Sequence, residues 1–191
     1  MQKNKNGLLR DIFIPDLFRG KTKARKIAYI ALISALVVIV NVFEIKFADT
    51  QFSFTLATSA LVGVLIGPVY GFAACFLGDL VGFLQNNGGY MYMPWIGISL
   101  GLTSFLSGMV YHGIKNKGKW DEYAKLVVIC LLSFIFCTVA INTTAFWLMY
   151  SKVDYFTYLI ARLIAQGQVW NCLLNYAVFI VVAPLLKRLP L

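Results

Sequence analysis

Long apolar stretches alternate along this chain with short polar punctuation. An apolar run from about Lys26 to Phe43 ends where Glu44, Lys46 and Asp49 return the chain to water. A second run, from about Phe54 to Ile66, is parted from a third, Val69 to Leu84, only by Gly67-Pro68, a helix-breaking pair that makes the two runs hairpin partners. Gln85-Asn86-Asn87-Gly88-Gly89 closes the third run, and the fourth extends from about Pro94 to Gly113, with Pro94 suited to a first helical turn. Lys115, Lys117 and Lys119 mark its end. The fifth run occupies Tyr123 to Tyr150 and, after Ser151 to Asp154, the sixth runs from Tyr155 to Leu186. A helix needs about 20 apolar residues to cross a bilayer, so the pattern predicts six transmembrane helices, the last two long enough to tilt or project. The expected fold class is all-α integral membrane, with residues 1–25 as a cytoplasmic basic segment and 26–191 as one six-helix domain.

Basic residues set the expected orientation, because Lys and Arg accumulate in cytoplasmic segments. The N-terminal segment carries Lys3, Lys5, Arg10, Arg19, Lys21, Lys23, Arg25 and Lys26; the fourth-to-fifth loop adds Lys115, Lys117, Lys119 and Lys125; the C-terminus adds Lys187 and Arg188. Six spans put all of these on one side and leave Lys46 and Lys152 on the other, so both termini are expected in the cytoplasm. The expected location is a bacterial plasma membrane, crossed several times. The net charge of +9 is then explained by topology and contact with anionic lipid, not by nucleic acid. Leu8, Leu9, Ile12, Phe13, Ile14, Leu17 and Phe18 lie among basic residues, which suits either an interfacial helix on the inner leaflet or a basic tail, with Pro15 limiting any helix. The first apolar run is too long for a signal peptide, has no small-residue cleavage pattern, and is expected to stay in the mature protein.

Composition agrees with the pattern and narrows the chemistry. The 191 residues are 60% hydrophobic and 13% charged, with a mean hydropathy of +0.75, so lipid is the solvent and no soluble catalytic domain or ATPase fits. Cys75, Cys130, Cys137 and Cys172 all lie in apolar runs without metal spacing and read as small buried hydrophobes. The sequence contains no Walker A loop, no HExxH and no GxSxG in a strand-turn-helix setting, so neither catalytic residues, metal ligands nor cofactors are assigned. The sole histidine, His112, sits at the end of the fourth run, where it is expected to cap the helix or touch headgroups. No matching pair of broken helices suggests a self-sufficient secondary transporter.

Two ionisable residues, Asp79 and Arg162, stand inside spans, where an isolated charge costs several kcal/mol. Each falls about two turns from the predicted outer end of its helix, so the two lie at similar depth. One reading is an ion pair that locks the bundle. The other is a pocket opening outward, in which Arg162 receives a carboxylate or phosphate and Asp79 accepts from ligand N–H groups; a ligand that splits the pair satisfies both. Gln166 follows Arg162 by one turn and shares its predicted face, while Gln168, Asn171 and Asn175 form a second polar stripe. The candidate ligand set is Asp79, Arg162, Gln166, Asn171, Asn142 and Trp147 in the spans, with Asn86, Tyr90, Tyr92 and Trp95 in the third-to-fourth loop. Asn175 is expected to bond a neighbouring helix instead. Gly88 and Gly89 can act as joints that let those aromatic side chains close over a planar ring. Ala31 and Ala35, flanked by Ala28 and Ser34, make a smooth strip for close helix approach, within this protein or to a partner; Gly63 and Gly67, and Gly78 and Gly82, repeat the spacing for internal packing.

Taken in order, these motifs resemble the substrate-binding S components of energy-coupling factor (ECF) vitamin transporters. The resemblance covers about Lys26 to Leu186. It rests on the AxxxA of the first span, on Gly63-Val64-Leu65-Ile66-Gly67-Pro68-Val69-Tyr70-Gly71, on Gly78-Asp79-Leu80-Val81-Gly82, and on Gly89-Tyr90 leading to Pro94. It implies a six-helix subunit that binds a water-soluble vitamin from outside, among the outer ends of helices four to six. It also implies that Ala31 and Ala35 dock on a transmembrane coupling protein driven by two cytoplasmic ATPases, whose power topples the subunit, so the chain itself is no enzyme. The glycine motifs and Arg162-Leu163-Ile164 are most similar to the folate-type branch, in which a pterin would use Asp79 and stacking, and a glutamate tail Arg162. A cobalamin-type corrinoid, riboflavin and a queuosine precursor are the alternative ligands. The rival class is an integral-membrane enzyme or scaffold of lipid metabolism, for which the cytoplasmic interface offers His112, Asp121 and Glu122.

Overall fold

Apolar runs free of internal breakers fold as helices in lipid, because every backbone N–H and C=O is then satisfied within the segment. The computed structural model of the chain describes residues 20–42, 44–47, 50–85, 91–114 and 118–187. The expected amphipathic segment from Leu8 to Phe18, the loop residues Asn86, Gly88, Gly89 and Tyr90, and the basic residues Lys115, Lys117 and Arg188 lie outside these. In order, the elements are α1 (Lys23–Val42), β1 (Glu44–Phe47), β2 (Thr50–Ser53), α2 (Thr55–Ile66), α3 (Pro68–Gln85), α4 (Pro94–Gly113), α5 (Lys119–Leu132), a π-helical stretch π1 (Ser133–Thr143), α6 (Thr144–Tyr150), α7 (Tyr155–Ile160), a second π-helical stretch π2 (Ala161–Ala165) and α8 (Gln168–Lys187). Four helical stretches are long and apolar enough to cross a membrane: Lys23–Val42, Pro68–Gln85, Trp120–Tyr150 and Gln168–Leu186. Thr55–Ile66 and Tyr155–Ala165 are apolar but shorter, and α4 has the length with a face of glycine, serine and threonine.

Two features depart from the expected all-α bundle of unbroken spans. The polar link after α1 is an antiparallel hairpin, pairing Glu44 with Ser53, Ile45 with Phe52, Lys46 with Gln51 and Phe47 with Thr50. Glu-Ile-Lys-Phe alternates polar and apolar, the period of a strand, which is the signal that a reading for helices passes over. The expected sixth span is also not one helix. Gly167 has φ of 70°, a conformation open to glycine, and separates π2 from α8. The break puts Arg162 and Gln166 on one segment and Gln168, Asn171 and Asn175 on another, so the two polar stripes do not share one helix.

Gly67, with φ of 81°, makes the turn between α2 and α3, and Pro68 then opens α3 where a missing N–H leaves nothing unpaired. This corner fits tightly against α4. A Cβ on Gly63 would collide with the Ser104 carbonyl and Ser107 Oγ, and one on Gly108 would lie 2.6 Å from Pro68 N. Across the close approach Ser107 Oγ lies 2.9 Å from Ala60 O and 2.9 Å from Ser104 O, sharing its one proton between two carbonyls. Gly78 and Gly82 serve another contact: Cβ atoms there would sit 2.5 Å from Val37 and 2.8 Å from Asn41, so α1 lies directly on α3. The glycine spacings are therefore internal packing. Two apolar clusters complete the interior, one around Val37, Leu56, Val62, Ile66, Cys75 and Leu100, the other around Leu126, Ile129, Phe179 and Ala183. All four cysteines are buried and free.

Helix ends are closed by side chains from neighbouring elements. His112 Nε2 lies 2.9 Å from Val64 O in the last turn of α2; the carbonyl can only accept, so the imidazole donates from Nε2 and caps that helix. Lys125, counted in the sequence as a loop charge, is buried, and its ammonium donates to Ile114 O and to Tyr111 O at the end of α4. Asp154 caps α7 by accepting from Thr157 N at 2.9 Å, and that bond holds its carboxyl below the usual range. Asn175 makes the longest-range closure. Its Oδ1 accepts from Ala57 N at 2.9 Å, while its Nδ2 donates to Ser53 O at 2.7 Å and to Asn171 O at 2.9 Å. One side chain of α8 thus holds the start of α2 and the end of the hairpin.

Candidate functional site

Phe146, on α6, is the centre of the polar cluster. The Arg162 guanidinium stacks on its ring at 4.1 Å, and Trp95, next to Pro94 in the first turn of α4, meets it edge-on at 6.1 Å. A guanidinium on an aromatic face is held by the ring quadrupole, which leaves its N–H edge free to bond elsewhere. Arg162 Nε is buried with no hydrogen-bond partner, and the same holds for Trp95 Nε1. One turn before Phe146, Asn142 donates from Nδ2 to Ser99 Oγ at 2.8 Å, while its Oδ1 is buried and unpartnered. Ser99 itself donates to Ile96 O at 3.1 Å, so its oxygen can only accept from Asn142, and this fixes which way the amide faces. Buried polar groups are nearly always bonded, and Trp95 Nε1, Asn142 Oδ1 and Arg162 Nε, on α4, π1 and π2, are three of the six such atoms left without a partner among the described residues.

Asp79, on α3, meets a different face of α4. Tyr92 donates to its Oδ2 at 3.1 Å, and that oxygen lies 3.0 Å from where a Gly97 Cβ would stand. Tyr92 packs on Phe83 at 5.2 Å, and burial, followed by the charge of Asp79, pushes its phenol up to about 12, so it remains a donor. Asp79 and Arg162 form no ion pair with each other among the described residues. Of the other candidates, Trp147 donates to Val153 O at 2.8 Å and stacks edge-on against Tyr155, which orients the turn between α6 and α7. Gln166 is exposed at the helix break. Asn171 is buried, and its Oδ1 accepts from Asn175 at 3.1 Å. Ala31 and Ala35 are exposed on α1, and Ala35 lines an open groove with Ser34, Val38, Ala73 and Gly78. Sequence reasoning missed Phe146 and Ser99. Their spacing gave a signal, since Phe146 follows Asn142, and Ser99 follows Trp95, by one turn. Among the described residues no group of His, Cys, Asp and Glu could hold a metal.

The fold has a solved counterpart. The structure matches FolT bound with folic acid with a TM-score of 0.64 and 22% identity, covering 87% of this chain and 93% of that one. No curated protein matches the sequence. The family model described as "ECF-type riboflavin transporter, S component" matches residues 21–190, nearly the whole chain. The apolar helices, the corner at Gly67-Pro68 and the breadth of that match lead to one assignment: this membrane protein belongs to the ECF-type riboflavin transporter S-component family, a family of transporter subunits and not of enzymes.

Proposed function

We propose that the chain is the substrate-binding subunit of an ECF importer in a bacterial plasma membrane, and that its ligand is folate. The observation that carries this reading is Arg162, a cation inside a membrane segment whose Nε is buried without a partner while its face rests on Phe146. A charge so placed calls for an anion, and the aromatic neighbours call for a planar ring. Folate offers both, in its glutamate carboxylates and its pterin. The FolT structure, solved with folic acid, has the same fold. Riboflavin is the second reading, favoured by the description of the matching family; its flat ring suits the same slot, but as a neutral molecule it leaves Arg162 uncompensated.

Thermal stabilisation of the detergent-purified protein by folic acid, riboflavin and cobalamin tests the choice. A ligand at 100 times its Kd adds about 2.7 kcal/mol of stability, which a melting curve resolves. The expected result is a shift with folic acid that Arg162→Ala abolishes, because truncating one partner of a buried charge pair costs about 2–5 kcal/mol. A shift with riboflavin alone replaces the ligand and keeps the subunit reading, whereas no shift with any of the three moves the weight to a membrane enzyme or scaffold. The proposed partners are a transmembrane coupling protein and two cytoplasmic ATPases, seated through Ala31 and Ala35. Co-expression is expected to yield a complex that purifies together and is lost on Ala31→Trp or Ala35→Trp; assembly retained by both variants rules that surface out.

A further inference from the structure

Two of the buried polar atoms left without a partner near Phe146 have opposite and fixed characters. An indole Nε1–H can only donate, and Asn142 Oδ1, its amide orientation set by the Ser99 bond, can only accept. They stand on the two sides of one contact. Ser99, which holds Asn142, follows Trp95 by four residues on α4, a spacing that separates side-chain origins by about 5–6 Å. Phe146, which Trp95 meets, follows Asn142 by four residues on the facing helix. A planar group that satisfies both atoms presents an acceptor to the indole and a donor to the amide oxygen.

From this we infer that Trp95 and Asn142 are specificity-determining residues that read a lactam edge, a ring carbonyl adjacent to a ring N–H. The carbonyl accepts from Trp95 Nε1–H and the N–H donates to Asn142 Oδ1. This deepens the proposed vitamin-binding function and rests on it. Arg162 holds an anion, so it does not distinguish one ring system from another. The Trp95–Asn142 pair reads the ring edge, because an edge with donor and acceptor exchanged leaves both protein atoms unsatisfied and opposed by like groups. Sites built to hydrogen-bond a ligand reject mismatched analogues far more strongly than apolar pockets reject a change of size. A pterin and an isoalloxazine both carry a lactam edge, and the test separates these two sources.

Dissociation constants would be measured for the full chain in detergent with two matched pairs: folic acid against its 4-amino-4-deoxy analogue, in which the edge is inverted, and riboflavin against N3-methylriboflavin, in which the donor is lost. In whichever pair the parent vitamin binds, it is expected to bind at least about 100-fold tighter than its partner. Trp95→Phe, which keeps a ring against Phe146, is expected to bring that ratio down about tenfold, an effect that a merely structural role for the indole would not produce. Equal affinities within the binding pair for the unaltered protein overturn the lactam reading and leave the vitamin-binding function standing, whether or not the variant folds. Failure of both parents to bind overturns the function itself, and this inference with it.

Discussion

Gly63→Val is expected to prevent the bundle from closing, with loss of the monodisperse species in detergent or a fall in thermal midpoint equivalent to about 3 kcal/mol or more. The reason lies in what the new side chain meets. At Gly63 a Cβ runs into a backbone carbonyl, that of Ser104, and into Ser107 Oγ, itself bonded to Ala60 O. A flexible side chain could turn away, but a carbonyl in the middle of α4 cannot move without shifting the helix. Gly71 and Gly108 lie at the same crossing, where Cβ atoms would meet Ser104 Oγ and Pro68 N, so α4 has no room to retreat along its length. Lipid chains are as apolar as the helix surfaces, so close packing and interhelical hydrogen bonds carry the association, and valine removes both here. Ala31→Val, on the exposed face of α1, is the matched control and is expected to leave the midpoint unchanged. A wild-type midpoint for Gly63→Val would refute the close crossing.

Asn175→Leu has the next largest expected effect. Leucine matches asparagine in volume and suits the apolar surroundings, so any loss comes from the groups left behind. Beyond its own helix, where Asn171 also accepts from it, those are the Ala57 amide at the start of α2 and the Ser53 carbonyl at the end of the hairpin, each bonded to Asn175. A buried polar group left unsatisfied costs about 1–3 kcal/mol, so two put the expected loss at about 2–6 kcal/mol. Hydrogen exchange distinguishes this from a general loosening. The Ala57 amide is expected to exchange at least about tenfold faster in the variant, while Thr58 N, which donates to Phe54 O, keeps its relative protection. Equal acceleration at both amides would instead mean that the whole segment opens.

What was legible in the sequence divides along physical lines. The bounds of α4 follow from Pro94 and the glycine at its end, because local backbone rules decide them. The break after π2 was written in Gln166-Gly167-Gln168, a glycine between two amides inside an apolar run, but hydropathy summed over a long window averages it away. The similar depth of Asp79 and Arg162 is legible because depth can be counted along a helix, but whether they face one another is not. Rotation about the bundle depends on which helix lies between them, and α4 meets Asp79 with its Gly97 side and Phe146 with its Trp95 side. The role of Asn175 was legible as a polar residue without a place in an apolar helix. Its partners, 118 and 122 residues away along the chain, were not.

The π-helical stretch Ser133–Thr143 has a consequence for how the site is inherited. Eleven consecutive residues advance with i→i+5 bonding, and Thr143 Oγ1 donates to the carbonyl five residues back, at 2.8 Å. Each turn there uses roughly one residue more than the 3.6 of an α-helix, so the stretch acts as a phase shifter between α5 and α6. The azimuth of Asn142 and Phe146 is set by how many residues precede them in that stretch as much as by their own identity. A relative that lost one residue from 133–143 would keep the same side chains in the same order and turn them out of the cluster. Where this cluster holds the ligand, as proposed, a single deletion that leaves every motif in place is expected to change ligand preference.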